Sequence, residues 1–171
     1  MIRLKTVLDS WSAVREDTAQ AVSDFPPEAV DEILVEGCMS FRGTAKHILE
    51  SSQGFTGALL AGVESFAVPN LRDVLSEYQM PLPEDCSMPD LAEALQESLR
   101  DRVAAFQEQP EAFWTREIVR HDGKRATPLE FLQFLKEHEL THRSQMFMFL
   151  RLRGIVPPTT RRRETARRQA V

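Results

Sequence analysis

Glycine, tyrosine and cysteine are scarce in this chain, and long apolar runs are missing from it. With 7 Gly and 1 Tyr among 171 residues, little favours sheet, whereas Leu, Ala, Glu and Gln are common and favour helix. The only two cysteines, Cys38 and Cys86, match no CxxC motif and are too few for a disulfide framework. They are expected to be reduced, partly buried thiols in a cytoplasmic protein. No stretch approaches the roughly 18 apolar residues of a membrane span. The opening MIRLKTVLDSWSAVRED has neither the apolar region nor the cleavage site of a signal peptide. An excess of positive charge is missing too. The net charge is −5, and the segment 157–171 holds five arginines against one glutamate, so residues 1–156 carry −9. An acidic body argues against a nucleic-acid-binding domain.

What is present is helical periodicity. Four segments carry an apolar stripe at 3, 4 spacing. The first runs from about Leu4 to Ser23, with Leu4, Val7, Leu8, Trp11, Val14 and Val22, and ends at Phe25-Pro26-Pro27. The second runs from about Ser40, a plausible N-cap, to Ala61. A long connection with Pro69, Pro81 and Pro83 follows, and its NLRDVLSEY core has room for a turn or two of helix. The third starts at the Ser87-Met88-Pro89-Asp90 cap and reaches about Glu108 before Pro110. Residues 113–127 combine β-branched and aromatic residues with an Asp122-Gly123 turn and predict a small hairpin or irregular loop. The fourth segment opens on Thr127-Pro128-Leu129-Glu130, a capping box with Pro at N1, and continues to Arg153. Gly154 and Pro157-Pro158 close it. The expected fold is all-α: a four-helix bundle over 1–156 with a long connection between its second and third helices, followed by a basic, flexible tail over 157–171.

The chemistry lies in the histidines. His138 and His142 are four apart on the fourth segment, one turn apart on one face. Phe131, Phe134, Leu135, Met146 and Phe149 share that face. Two buried imidazoles need partners, and one metal ion satisfies both; hydrogen-bonded core histidines are the competing account. His47, inward on the second segment beside Thr44, Ile48, Ser51 and Phe55, supplies a third ligand. Three protein ligands leave a coordination position for water or substrate, as in catalytic sites. His121, in the HDG turn, is either an exposed loop residue or an acid/base group over the open end. His138-Glu139-Leu140-Thr141-His142 is also a literal HExxH string, in which Glu139 would be the base of a zinc peptidase. No third ligand lies downstream, and Glu139 is rotated about 100° from His138.

Two blocks, SFRGTAKHILESSQGF and HELTHRSQMFMFLRLRGIVPP, resemble the DinB-like superfamily of metalloenzymes. The first is similar to its "laHil" segment and the second to its "HexxHrgQ…LrllGxxPP" segment. Ser144 replaces a frequent Gly and Thr141 a frequent His, neither at a ligand position. The resemblance spans nearly the whole chain. It implies a DinB-type four-helix bundle, one divalent metal on His47, His138 and His142, and a homodimer. It does not imply one reaction, because relatives include metal-dependent thiol transferases and a mycothiol-dependent isomerase. The expected function is therefore a metal-dependent transferase or hydrolase acting on a small-molecule substrate, with zinc or nickel ahead of iron or copper and with a low-molecular-weight thiol as cosubstrate. Catalytic candidates are Glu139 and His121, and Glu50 and Gln145 are candidates for orienting the ligands. The alternatives are a non-catalytic metal-binding bundle and the zinc peptidase.

Overall fold

A computed structural model describes residues 3–83 and 85–169. Its elements in chain order are α1 (Leu4–Asp24), a 3₁₀ turn (Pro27–Ala29), α2 (Phe41–Leu60), α3 (Leu71–Ser76), α4 (Met88–Gln107), α5 (Glu111–Thr115), β1 (Ile118–Val119), β2 (Arg125–Ala126), α6 (Pro128–Leu152) and α7 (Pro158–Gln169). Three of the four long helices start at a side-chain cap, whereas α1 follows Arg3 without one. Ser40 Oγ accepts from Gly43 N, and Ser87 Oγ from Asp90 N. Thr127 and Glu130 form a reciprocal capping box. These bonds satisfy amides that the first helical turn leaves without partners.

Helix α1 packs on α4 and α6, and α2 packs on the same two, so α1 and α2 stand diagonally opposed. Two apolar clusters fix the directions. At one end Ala19, Val22, Ala45, Ile48, Leu91, Leu95, Met146 and Phe149 meet. At the other, Val7, Trp11, Ala58, Leu59, Leu99, Phe106, Phe131 and Leu132 meet. Hence α1 and α6 run one way, α2 and α4 the other.

Between the clusters lies a polar layer. Arg15 and Glu139 are each 2% exposed, with Thr18, Ser52 and Ser98 beside them. Glu139 accepts from Arg15 Nε at 2.7 Å, Arg15 Nη2 at 2.8 Å, Trp11 Nε1 at 2.6 Å and Thr18 Oγ1 at 3.0 Å. Arg15 Nη1 donates to Leu95 O at 2.6 Å and Ser98 Oγ at 3.3 Å, and Nη2 donates to Ser52 Oγ at 3.0 Å. A buried ion pair survives only with such full satisfaction.

The connections are short elements laid against the helix ends. Helix α3 and the turn after it cross α2 closely at Gly57, where a Cβ would stand 2.6 Å from Tyr78 Cβ. The β1–β2 hairpin is antiparallel, pairing Ile118 with Ala126 and Val119 with Arg125. It is tied to the segment after α2 through Phe66 N to Val119 O and Val119 N to Glu64 O. Trp114, grouped with the hairpin on its aromatic character, instead belongs to α5, whose start Pro110 and Glu111 favour.

Two further expectations need correction. The segment expected as a flexible tail is helical from Pro158 to Gln169. Arg162 pairs with Asp17 and Arg161 with Asp24. Asp17 is 4% exposed and also takes Arg143 Nη1 at 3.2 Å. A buried carboxylate on α1 therefore recruits the tail, a long-range cause that local periodicity does not carry. Truncation before Pro158 is expected to destabilise the chain by about 1–2 kcal/mol, because Asp17 loses one of its two cations. Urea denaturation of the truncated chain measures this, and an unchanged midpoint would refute the pairing. Cys38, expected to be partly buried, is exposed, while Cys86 is buried; both are free thiols.

Candidate metal centre

The groove between α2 and α6 brings together the three histidines singled out in the sequence. His138 Nε2 lies 3.3 Å from His47 Nε2 and 3.2 Å from His142 Nε2. All three donor atoms fall within 4.8 Å of one another. Two nitrogens bound at 2.0–2.1 Å to one tetrahedral ion stand about 3.3 Å apart, so the spacing fits a metal. The rings are half-buried. Burial, then the neighbouring His142 and His47, hold the His138 imidazole down to about 4. Burial and His142 also lower His47. The neutral form so favoured is the one with a lone pair for a metal.

Gln145 Oε1 lies 2.9 Å from His142 Nδ1. The Nδ1–H donates to it, which leaves Nε2 unprotonated and aimed at the other two rings. Ser51 Oγ is 3.5 Å from His47 Nδ1, at the outer limit of a hydrogen bond. Glu50, the other candidate orienter, is exposed; its backbone carbonyl accepts from Gln79 Nε2, and no side-chain bond to His47 is formed.

The groove is bounded at both ends. Where the loop before α2 meets α6, a cavity of about 160 Å³ is lined by Gly37, Cys38, Met39, Thr44, His142, Gln145 and Phe149. On the hairpin side His121 packs between Phe55 and Phe134, ring centroids 6.0 and 5.5 Å away. Arg120 covers the Phe134 ring at 4.0 Å. His121 is exposed yet close enough for its charge to act on His138. It borders the groove one turn from His138 and stays outside the three-histidine cluster.

Glu139 is the candidate the structure removes. Its carboxylate points to the bundle axis and is used by four donors from α1. A general base needs free lone pairs facing the ligand groove, so the HELTH string is a sequence coincidence with the peptidase motif. The partner, Arg15, escaped the sequence reading. A signal existed: Arg15 and Thr18 fall on the stripe between Trp11 and Val22, where polar residues need a buried partner.

The DinB family model matches residues 1–169. The chain belongs to the DinB family. No curated protein matches it. Among solved structures, a DinB-like protein, YjoA, from Bacillus subtilis superposes with a TM-score of 0.67 at 21% identity, covering 87% of this chain and 92% of that one. YfiT from Bacillus subtilis, described as a probable metal-dependent hydrolase with an unusual four-helix bundle topology, gives 0.70 at 16% identity, covering 91% of each. A mycothiol-dependent maleylpyruvate isomerase gives 0.64 at 15% identity; the match covers 85% of this chain and 61% of that longer protein. At these identities the likeness establishes the DinB-type bundle. No helix among the described residues is long and apolar enough to cross a membrane.

Proposed function

We propose that this DinB-family protein binds one divalent metal ion through His47, His138 and His142 and uses it on small molecules, as a thiol-dependent transferase or a hydrolase. The carrying observation is the donor geometry: three imidazole nitrogens converge at 3.2–3.3 Å steps on two rigid helices. Zinc and nickel suit three imidazoles best, with iron and copper behind them. An ion there supplies a Lewis acid that lowers the pKa of a thiol or water.

The chain's own residues do the rest. Gln145 fixes the tautomer of His142. The cavity beside Thr44 and Cys38 reaches His142, one of the three proposed ligands, and is where part of a small substrate would sit. His121, exposed on the hairpin side between Phe55 and Phe134, is the group placed to exchange a proton with a substrate there. Among the described residues no fourth His, Cys, Asp or Glu joins the cluster, which favours this reading over a closed, non-catalytic metal site.

A cytoplasmic homodimer is part of the proposal. On α6, Phe147 and Leu150 are buried in the core and do not serve such a contact; Met148 (58% exposed) and Leu152 (62% exposed) are the α6 residues available for it. Light scattering at micromolar concentration distinguishes dimer from monomer.

Elemental analysis of the purified protein, beside a variant with all three histidines changed to alanine, tests the metal; equal occupancy in both would defeat the proposal. Assays with low-molecular-weight thiols and electrophiles then test the reaction class. Gln145→Leu is expected to weaken zinc binding about 10-fold, as loss of a ligand-orienting partner does. Competition with a chromogenic chelator measures it, and an unchanged affinity would show that the hydrogen bond to His142 is idle.

A further inference from the structure

We infer that Arg15 and Glu139 are positioning residues for the three-histidine centre. The inference rests on the metal-binding reading above. Glu139 directly follows His138 and precedes His142 by three residues, about 100° around α6 from His138. Turning Glu139 toward the bundle axis therefore turns both histidines toward the groove with α2. All four of its hydrogen bonds come from α1, through Trp11, Arg15 and Thr18. Together they set the rotation of α6 about its own axis.

The same guanidinium reaches the other ligand helix. Arg15 Nη2 bonds both Glu139 Oε2 at 2.8 Å and Ser52 Oγ at 3.0 Å. Ser52 follows Ser51, whose Oγ lies 3.5 Å from His47 Nδ1. One side chain thus links α6, with two histidines, to α2, with the third. Its remaining arm anchors on α4 through Leu95 O and Ser98. Functional sites need geometry held within about 0.5 Å and 10–20°, and a single hub bonded to every bundle helix provides it.

Stability alone does not account for the pair. A buried ion pair replaced by apolar residues of similar volume leaves stability unchanged or raised in many proteins. The specific consequence of losing this one is a loosened relation between α2 and α6, felt where their side chains must converge.

The test uses the full chain and a double variant, Arg15→Met with Glu139→Leu, which leaves no charge unpaired. Zinc affinity is read by chelator competition, ligand geometry by the cobalt(II) absorption spectrum, and folding by urea denaturation. The expected result is a folded double variant with zinc affinity reduced about 10- to 100-fold and an altered cobalt spectrum. Phe106→Leu, at the far end of the core, serves as the structural control and should lower stability while leaving zinc affinity unchanged. A folded double variant with wild-type affinity and spectrum overturns the inference alone. A wild-type protein that takes up no metal overturns the metal-binding reading, and this inference with it. If the double variant does not fold, Ser52→Ala decides. Removing only the tie to α2 should weaken zinc binding about fivefold, the worth of one hydrogen bond, and an unchanged affinity overturns the inference.

Discussion

Zinc at 100 times its dissociation constant is expected to raise the melting temperature of the wild-type chain by roughly 5–10 °C and to leave a His138→Ala variant unmoved. A ligand that binds only the folded state at that excess stabilises it by about 2.7 kcal/mol. In a domain of this length each kcal/mol is worth about 2–4 °C. The folded state is the binding state here because the donors are far apart in sequence: His47 lies 91 residues from His138. His138 is the residue to remove. Its Nε2 lies next to both other donors, and without it the set falls to two. Affinity should then drop by more than about 100-fold, beyond what loss of a residue behind a ligand causes. Differential scanning calorimetry with added zinc or chelator measures both effects. A variant lacking His138 that still shifts with zinc would place the ion elsewhere.

Glu139→Ala is expected to be the most damaging single substitution for stability, at about 3–5 kcal/mol, because it leaves the Arg15 guanidinium buried without its counter-charge. Trp11 Nε1 loses its acceptor at the same time, whereas Thr18 Oγ1 keeps Val14 O at 2.9 Å. The melting temperature should fall by roughly 6–20 °C. If Glu139 instead served as a solvent-facing base, the same change would alter turnover and leave the melting temperature within a few degrees of wild type. Calorimetry on the metal-free protein separates these outcomes.

The parts of this molecule legible in its sequence are those that depend on local chemistry. The caps at Ser40, Ser87 and Thr127 mark helix starts because each side chain accepts from the backbone N–H three residues on. The pair His138 and His142 is visible because a helix stacks every fourth residue, and His47 because its own stripe places it inward. Contacts set by the whole chain were not legible. Glu139 and Arg15 meet across 124 residues, and Arg162 and Asp17 across 145. Nothing near Arg162 in sequence distinguishes a docked helix from a solvated basic tail, since its partner is a buried carboxylate on α1. Cys38 likewise shares a cavity with His142, 104 residues away in the chain, through the loop before α2, and no local pattern marks that proximity.

The diagonal placement of α1 and α2 bears on how the protein is made. Helix α2 packs on α4 and α6, and α6 on α1 and α2, so His138 and His142 reach His47 only once α6 is present. During synthesis, at about 5–20 residues per second, the 91 residues between His47 and His138 would leave His47 without its two companion imidazoles for roughly 5–20 s. Loading of the proposed metal site would therefore wait until α6 has left the ribosome, and a product truncated before His138 would lack that site.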